Sequence, residues 1–271
     1  MARLLSVLHG AIMPVLVVII WEMLSRAGVF SAAFLPSPLA VAARWVQAMQ
    51  PLKPFDPAES SYLVWLVSGE FPHDAAASLS RVLSGFAIGA GLALPLGLLM
   101  GTSQRIYTLM NPLVQILRPI PPIAYIPLAI VWFGLGNAPA LFLIALGSFF
   151  PVLVNTIAGV RQVDSIYLRA ARNLGASSMT IFRRVILPAS SPFILAGARI
   201  GIGTAFIVVI VAEMIAVSDG LGYRILEARE YLWSDKIIAG MLTIGALGLL
   251  IDTFASRLND YLLRWHRGIG H

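Results

Sequence analysis

The chain has 271 residues, of which 58% are hydrophobic and only 12% are charged, and it contains no cysteine. A soluble domain has about a quarter of its residues charged, so this composition excludes an ordinary soluble protein and indicates an integral membrane protein. The missing cysteines exclude disulfides and thiol chemistry. A net charge of +6 would suggest nucleic-acid binding in a soluble protein. In a membrane protein it indicates basic cytoplasmic loops, and we expect no nucleic-acid partner.

Apolar segments of about 20 residues, rather than strand-length alternation, predict an all-α protein with six transmembrane helices. The first segment could be a signal peptide, but no clear cleavage site follows it, and we interpret it as an uncleaved span. The predicted spans are residues 8–24, 79–101, 113–133, 139–160, 193–217 and 237–256.

A short helix and a loop are predicted between the first two spans. Ser37 and Pro38 are typical of a cap and a first helical residue, and the helix runs to about Met49, with Trp45 as an anchor at the membrane interface. Residues 50–75 are rich in proline and acidic side chains and are predicted to form an aqueous loop. We divide the chain into a first span with its flanks (1–33), an extracytoplasmic loop with a short helix (34–77), a five-helix core (78–267) that includes a basic loop (161–191), and a tail (268–271).

The distribution of charge predicts the orientation. With both termini and the basic loop assigned to the cytoplasm, ten cations lie inside and six outside. This assignment follows the positive-inside rule, because the outer cations lie mainly in long loops where the rule is weak. We therefore expect both termini to be cytoplasmic.

Residues 163–188, here termed the elbow, form the longest stretch in the second half that does not suit lipid. Asp164 is predicted to cap a helix whose apolar face is formed by Tyr167, Ala170, Ala171 and Leu174, at positions i, i+3, i+4 and i+7. Gly175 is predicted to end that helix, because glycine adopts a left-handed conformation without strain.

A second short helix is predicted in the elbow, capped by Ser177 and ended by Pro188. Its apolar face carries Phe182, and four arginines lie on the outer faces of the two helices: Arg169, Arg172, Arg183 and Arg184. Such a half-apolar, half-basic segment is either a solvated loop or a surface presented to a partner outside the membrane.

Several ionisable residues fall inside the predicted spans, where charge is costly and faces a bundle interior, a partner or water. At about 1.5 Å per residue, Arg81 and Glu213 lie near the outer end, and Arg199 and Asp252 lie at similar depths near the inner end. We expect these to form two structural ion pairs, with contact to a solute as the alternative.

The third span contains Arg118 followed by a proline-rich turn. Pro121 and Pro122 lack amide donors and clash with the preceding turn, so the helix must break or kink there. Broken helices at membrane depth pack on protein or line a water-filled cavity, and both interpretations stay open. Trp132, near the outer end, is interpreted as an interfacial anchor.

Polar residues of the fourth span complete the candidate pathway. Ser148 and Asn155 lie seven residues apart on one helix face, and Asn155 is predicted either to hydrogen-bond to another helix or to line the pathway. The candidate pathway residues are Arg118, Pro121, Pro122, Ser148, Asn155, Arg199 and Glu213.

The sequence offers no catalytic chemistry. It has no G-x-x-x-x-G-K-[ST] motif, and its two lysines, Lys53 and Lys236, are predicted in outer loops, so no phosphate-binding loop is present. Gly197 and Gly201, in an apolar span, favour close helix packing rather than nucleotide binding. The four histidines are scattered, and no metal site is predicted. We expect a protein that is not an enzyme.

The elbow also resembles the cytoplasmic coupling loop of ABC-importer permeases. The resemblance is carried by Leu168-Arg-Ala-Ala-x-x-x-Gly175-Ala and by Phe182-x-x-Val185-x-Leu187-Pro188, with Arg169 where that family usually has glutamate. Other segments resemble the family in the same order along residues 34–267, and they are most similar to nitrate, sulfonate, taurine and bicarbonate permeases. These segments are Phe34-Leu-Pro-Ser-Pro38, Ser78-Leu-x-Arg81, Arg118-Pro-Ile-Pro-Pro122, Ala212-Glu213-Met and Gly220-Leu-Gly-Tyr223.

The resemblance implies a type I (MetI-like) permease fold with cytoplasmic coupling helices, in a bacterial cytoplasmic (inner) membrane. It implies a homodimer, two cytoplasmic ATPase subunits that bind ATP and magnesium, an extracytoplasmic solute-binding protein, and no cofactor on this chain. The residues implied to contact the ATPase are Tyr167, Leu168, Arg169, Ala170, Ala171, Arg172, Leu174, Gly175, Ala176 and Phe182.

The expected function is therefore passage of a small solute through the membrane. Arg118 and Arg199 favour an anion such as nitrate, a sulfonate or taurine, although selection is expected to rest with the binding protein. An ion-coupled secondary transporter is the alternative, with Glu213 and Asp252 as candidate relay residues. A membrane enzyme or assembly scaffold is a further alternative, and the sequence does not name the solute.

Overall fold

The computed structural model describes residues 2–31, 33–56 and 61–264, which form helices joined by turns. A 3₁₀ turn (Pro122–Tyr125) precedes α6, and a π turn (Phe182–Ile186) precedes α10. The α-helices in chain order are α1 (Ala2–Arg26), α2 (Pro38–Met49), α3 (Tyr62–Leu66), α4 (Glu70–Thr102), α5 (Gln104–Leu117), α6 (Ile126–Phe133), α7 (Asn137–Arg161), α8 (Ser165–Asn173), α9 (Ser178–Ile181), α10 (Leu187–Ala216), α11 (Leu221–Glu230) and α12 (Ser234–Leu262).

Four helical stretches in the described part of the chain are long and apolar enough to cross a membrane. They are Glu70–Thr102, Asn137–Arg161, Ser178–Ala216 and Ser234–Leu262, and α5 with the helix after it makes a fifth if that bent pair is one span. The predicted first span lies within α1, which is not among these stretches, so the count of six stays a prediction. The all-α, multi-span architecture agrees with the sequence analysis.

The chain divides into two compact units. The first lies within residues 1–76 and 219–246, and the second within residues 77–218 and 247–271.

In the first unit, α2 packs against α4 and α12. Ser37 caps the helix, as predicted, by accepting a hydrogen bond from the amide of Ala40. Val41 is buried in a cluster with Phe71, and the indole of Trp45 donates a 2.9 Å hydrogen bond to the hydroxyl of Thr243. Trp45 is thus held by a protein contact, and its role as a membrane anchor stays a prediction.

The first unit also contains an ion network that corrects the predicted loop at residues 50–75. α4 begins at Glu70, well before the predicted start of the span, because acidic side chains of its first turns are ion-paired. Arg224 donates to Asp74 (2.7 Å) and Glu70 (2.9 Å), and Lys236 donates to Glu70 (2.8 Å). Lys236 therefore lies in α12 with its side chain buried, not in an outer loop.

The network also holds Arg224 in its charged form. Burial by itself lowers the pKa of Arg224, but hydrogen bonds with Asp74 and Glu227, and the negative charge of Glu70, outweigh it and raise the pKa above the ordinary arginine value. Asp74 also accepts a hydrogen bond from the amide of Gly220, whose φ of 102° suits glycine. The Gly220-Leu-Gly-Tyr223 segment is thereby fixed at the start of α11.

In the second unit, α7 is the central helix and packs between α4 and α10. Its buried residues, such as Leu143, Ile144 and Leu153, form two apolar clusters with side chains of its neighbours. Glycines allow these helices to approach closely. On α4 the glycines that face α7 recur along one side: Gly85, Gly89, Gly97 and Gly101.

Gly197 and Gly201 serve the same purpose on α10. A Cβ atom at Gly197 would lie 2.6 Å from the Cβ of Asn155, and one at Gly201 would lie 3.2 Å from the carbonyl oxygen of Ser148. The predicted role of these two glycines in helix packing agrees with the structure.

We predict that Gly89→Ala destabilises the second unit by about 1–3 kcal/mol, the usual cost of overpacking a core. The added Cβ would lie 2.2 Å from the carbonyl oxygen of Ala145, an atom that moves only if α7 moves. Gly91→Ala is the matched control, because a Cβ at Gly91 meets no atom within 4 Å. Thermal unfolding in detergent measures both; equal melting temperatures would contradict the prediction.

The third predicted span is broken as expected. α5 ends at Leu117, and the helices before and after the break differ in direction by 83°. Pro121 is extended (φ −64°, ψ 139°), because neither it nor Pro122 has an amide to continue the helix. The break also follows a longer helix than predicted, since α5 begins at Gln104, directly after Ser103 caps it.

The elbow differs from prediction at its second helix. Pro188 does not end that helix, which runs continuously from Ser178 to Ala216. The π turn widens the helix at Arg184, whose carbonyl would otherwise clash with the ring of Pro188. Pro192 is accommodated because the hydroxyl of Ser191 donates 2.8 Å to the carbonyl of Pro188, which Pro192 leaves without an amide partner.

Candidate functional site

The first helix of the elbow forms as its sequence predicts. Asp164 caps α8 by accepting a 2.8 Å hydrogen bond from the amide of Ile166. Gly175 follows the helix with φ of 76°, and its amide donates 2.9 Å to the carbonyl of Arg172. Ser177 caps the next helix by accepting a hydrogen bond from the amide of Thr180. The elbow is thus two helix segments joined by a tight left-handed turn.

No other part of the described chain covers the apolar face of the elbow. Leu174 is 87% exposed and Tyr167 is 64% exposed, and Ile166 and Met179 are also exposed. Single exposed apolar residues are common on proteins, but a group of this size marks a binding surface. Of the other predicted contact residues, Leu168, Ala171, Ala176 and Phe182 are half-buried and Arg169, Ala170, Arg172 and Gly175 are exposed.

The basic face of the elbow is also open. Arg169, Arg172, Arg183 and Arg184 are exposed, and in the part of the chain that the structure describes none of them makes an ion pair. Arginine donates hydrogen bonds in a planar fork that suits carboxylates. The elbow therefore exposes both apolar and cationic side chains, a combination that suits a partner with an apolar groove and acidic groups.

The broken third span lines a cavity in the second unit. This cavity, of about 310 Å³, brings together Arg118, Pro122 and Asn155 from the predicted pathway set. Gly147 and Thr204 also line it, and the sequence analysis missed them. A glycine and a threonine inside apolar spans carry no charge signal that would have singled them out.

Among the described residues, Asn155 makes no interhelical hydrogen bond, which was one of its two predicted roles. Its amide nitrogen donates 2.8 Å to the carbonyl of Pro151 in the same helix. This bond places the side chain on the cavity wall, in line with the other predicted role.

The remaining pathway candidates lie elsewhere. Ser148 is fully buried and donates to the carbonyl of Ala145, while Pro121 precedes the 3₁₀ turn and is not part of the cavity wall. Glu213 is fully buried, and Arg199 is paired with Asp252. The structure therefore brings three of the seven candidates together.

Both predicted ion pairs are present. Arg81 donates 2.8 Å to Glu213, which also accepts a 2.8 Å hydrogen bond from Ser78. Arg199 forms a two-pronged contact with Asp252, at 3.0 and 2.9 Å. Two of the three arginines predicted within the spans are thus neutralised by a carboxylate. Within the described residues, the third, Arg118, makes neither an ion pair nor a side-chain hydrogen bond.

Comparison with known proteins identifies the family. The profile of the binding-protein-dependent transport system inner membrane component family matches residues 93–268. The chain belongs to that family. It is 43% identical to a probable ABC transporter permease of Brucella melitensis, over 90% of this chain and 92% of that protein. It is 35% identical to a putative aliphatic sulfonates transport permease of Bacillus subtilis, over 95% and 87% of the two chains.

The fold of this permease is that of a solved ABC transporter. An inward-facing structure of the MetNI methionine ABC transporter matches with a TM-score of 0.61 and 20% sequence identity, over 74% of this permease and 98% of that chain. This similarity shows the type I, MetI-like fold. The protein is thus a multi-pass inner-membrane transport permease and not an enzyme.

Proposed function

We propose that this chain forms the translocation pathway of an ATP-driven importer for a small solute that is an anion or carries an anionic group, such as a sulfonate, taurine or nitrate. The observation that carries the proposal is the uncovered elbow, whose apolar and basic faces suit a cytoplasmic ATPase subunit. The solute class is supported by Arg118 at the cavity and by the sulfonate relative described above.

The proposed coupling mechanism depends on the continuous helix that leaves the elbow. Closure of an ATPase dimer on ATP would move the elbow, and a helix without a break from Ser178 to Ala216 transmits that displacement to the membrane as a rigid body. α10 packs closely on α7 at Gly197 and Gly201, so both helices would move together. The motor can bias the cavity only through contacts that differ between its two states.

The proposal includes partners beyond the ATPase. We expect two copies of this permease to enclose the pathway, and an extracytoplasmic binding protein to deliver the solute. We expect ATP and magnesium to bind to the ATPase subunits, and both termini and the elbow to face the cytoplasm.

An ion-coupled secondary transporter is less well supported. Such a transporter needs ionisable groups that gain and lose a proton within the membrane. The two candidates, Glu213 and Asp252, are each engaged in an ion pair with an arginine.

The test is uptake of radiolabelled ethanesulfonate into proteoliposomes that contain the permease, its ATPase subunits and its binding protein. We expect uptake with internal MgATP, none with a non-hydrolysable analogue, and no change when ionophores collapse proton and sodium gradients. Uptake that persists without ATP hydrolysis and stops with the ionophores would instead establish a secondary transporter.

A further inference from the structure

Two cavities of the second unit lie in series along one face of α7. The outer cavity, of about 310 Å³, and an inner cavity of about 220 Å³ share two lining residues, Arg118 and Val154. The residues of α7 that line one or both recur at helical spacing, among them Gly147, Pro151, Val154, Asn155, Ala158 and Arg161. At ~1.5 Å per residue this face extends about 21 Å along the helix, a large part of a bilayer core of ~30 Å.

The walls of both cavities are cationic. Among the described residues that line them, Arg118 and Arg161 are positively charged and none is an aspartate or a glutamate. Gln115 and Asn155 add neutral amide groups that can donate hydrogen bonds. A wall of this kind attracts anions and repels cations.

Arg118 lies where the two cavities meet and has its guanidinium free. In the described part of the chain it makes no ion pair and no side-chain hydrogen bond, whereas Arg81 and Arg199 are each satisfied by a carboxylate. An unpaired arginine within a membrane protein is costly, and such residues mark pathways for substrates and ions. Its five donors in a planar fork match the oxygens of a sulfonate or carboxylate group.

Arg161 is held in place at the inner end without being neutralised. It donates 2.9 Å to the side-chain oxygen of Gln104, and its guanidinium lies 4.0 Å from the ring centre of Tyr107. A neutral amide and an aromatic face orient an arginine while leaving its positive charge in place. The sequence analysis assigned Arg161 only to the cytoplasmic charge count, and its position in the cavity depends on the fold.

We propose that these two cavities form an anion path in which Arg118 binds the anionic group of the solute within the membrane and Arg161 receives it at the inner end. The permease would then select for negative charge itself, in addition to any selection by a binding protein. The second arginine that favours an anion is therefore Arg161, and not Arg199 as the sequence alone had suggested. This inference rests on the proposed importer function and adds a binding site to it. The outer cavity, of about 310 Å³, is at the lower end of the usual range of ~300–1,000 Å³ and the inner cavity, of about 220 Å³, is below it, and such volumes suit a small solute.

The experiment compares uptake of radiolabelled ethanesulfonate by the complete transporter, below saturation, for variants of the two arginines. Arg118→Gln is expected to lower uptake about tenfold or more, the effect of losing one charge-assisted hydrogen-bond pair. Arg161→Gln is expected to lower it about threefold, because Arg161 already donates a hydrogen bond to Gln104 and has fewer donors left for the solute. Arg118→Lys, which keeps the charge but loses the planar fork, is expected to retain more uptake than Arg118→Gln but less than the wild type.

Arg105→Gln is the matched control, because Arg105 lies on α5 outside both cavities and is expected to leave uptake unchanged. Copurification of the ATPase with each variant shows that the transporter is assembled. If the assembled Arg118→Gln variant imports ethanesulfonate as fast as the wild type, or if Arg118→Lys fails equally, the anion path is wrong while the importer function stands. If the wild type imports no ethanesulfonate, taurine or nitrate, the proposed solute class fails and the anion path with it.

Discussion

Replacing Glu213 with alanine is expected to lower the free energy of unfolding by about 3–5 kcal/mol, the cost of breaking a buried ion pair by removing one partner. Glu213 is fully buried and accepts hydrogen bonds from Arg81 and Ser78. Arg81 also donates 2.7 Å to the side-chain oxygen of Asn137. The ion pair thereby joins α4 and α10 to the first residue of α7, and its loss removes the buried hydrogen bonds that Glu213 accepts from Arg81 and Ser78.

Unfolding of the detergent-solubilised permease, followed by tryptophan fluorescence during titration with a denaturing detergent, measures this effect. Glu230→Ala is the matched control, because Glu230 is an exposed acid of α11 and its loss should change stability by no more than about 0.5 kcal/mol. The double variant Arg81→Met, Glu213→Leu should recover much of the loss, since an apolar pair of similar volume often replaces a buried ion pair. Similar stability of Glu213→Ala and Glu230→Ala would show that the pair contributes little.

Replacing Leu174 with aspartate is expected to weaken the binding of the permease to the ATPase subunit by about 2 kcal/mol or more, which is roughly 30-fold in affinity. Leu174 is 87% exposed in this chain, and the proposed ATPase contact would bury it. A carboxylate in its place would be buried in an apolar groove at still greater cost. The permease itself should fold normally, because Leu174 packs on nothing within the described chain.

Copurification of the ATPase with tagged permease, together with ATP-dependent uptake, measures the loss. Leu52→Asp is the matched control: Leu52 is 74% exposed, but it lies in the predicted extracytoplasmic loop. We expect Leu52→Asp to retain the ATPase. Retention of the ATPase by Leu174→Asp with normal uptake would mean that the elbow does not bind it, and the proposed coupling mechanism would be wrong.

Local chemistry was sufficient to predict much of the elbow and the break in the third span. Asp164, Gly175 and Ser177 act through their own backbone neighbours, and Pro121 and Pro122 break a helix wherever they occur together. These features therefore appear in the structure at the predicted residues. The two intramembrane ion pairs were also predictable, because depth in a membrane and the cost of isolated charge leave few possible partners.

Predictions failed where neighbouring residues changed the outcome of a local rule. Pro188 was expected to end a helix. The helix continues instead, because a π turn precedes Pro188 and the hydroxyl of Ser191 donates a hydrogen bond to the carbonyl of Pro188. Glu70 was expected in an aqueous loop, but ion pairs with Arg224 and Lys236 extend α4 to include it. The residues that let the helix continue through Pro188, and those that pair with Glu70, cannot be identified from the sequence immediately around Pro188 or Glu70.

The sequence alone determined the membrane class, the helical fold, the family and the elbow, because hydrophobicity, turn chemistry and capping act over a few residues. Only the tertiary structure decided which charges are neutralised and which remain available. Arg118 and Arg161 lie 43 positions apart in the chain, and they line one cavity because α5 and the C-terminal half of α7 pack together. Arg199 has the same side chain, but the fold pairs it with Asp252.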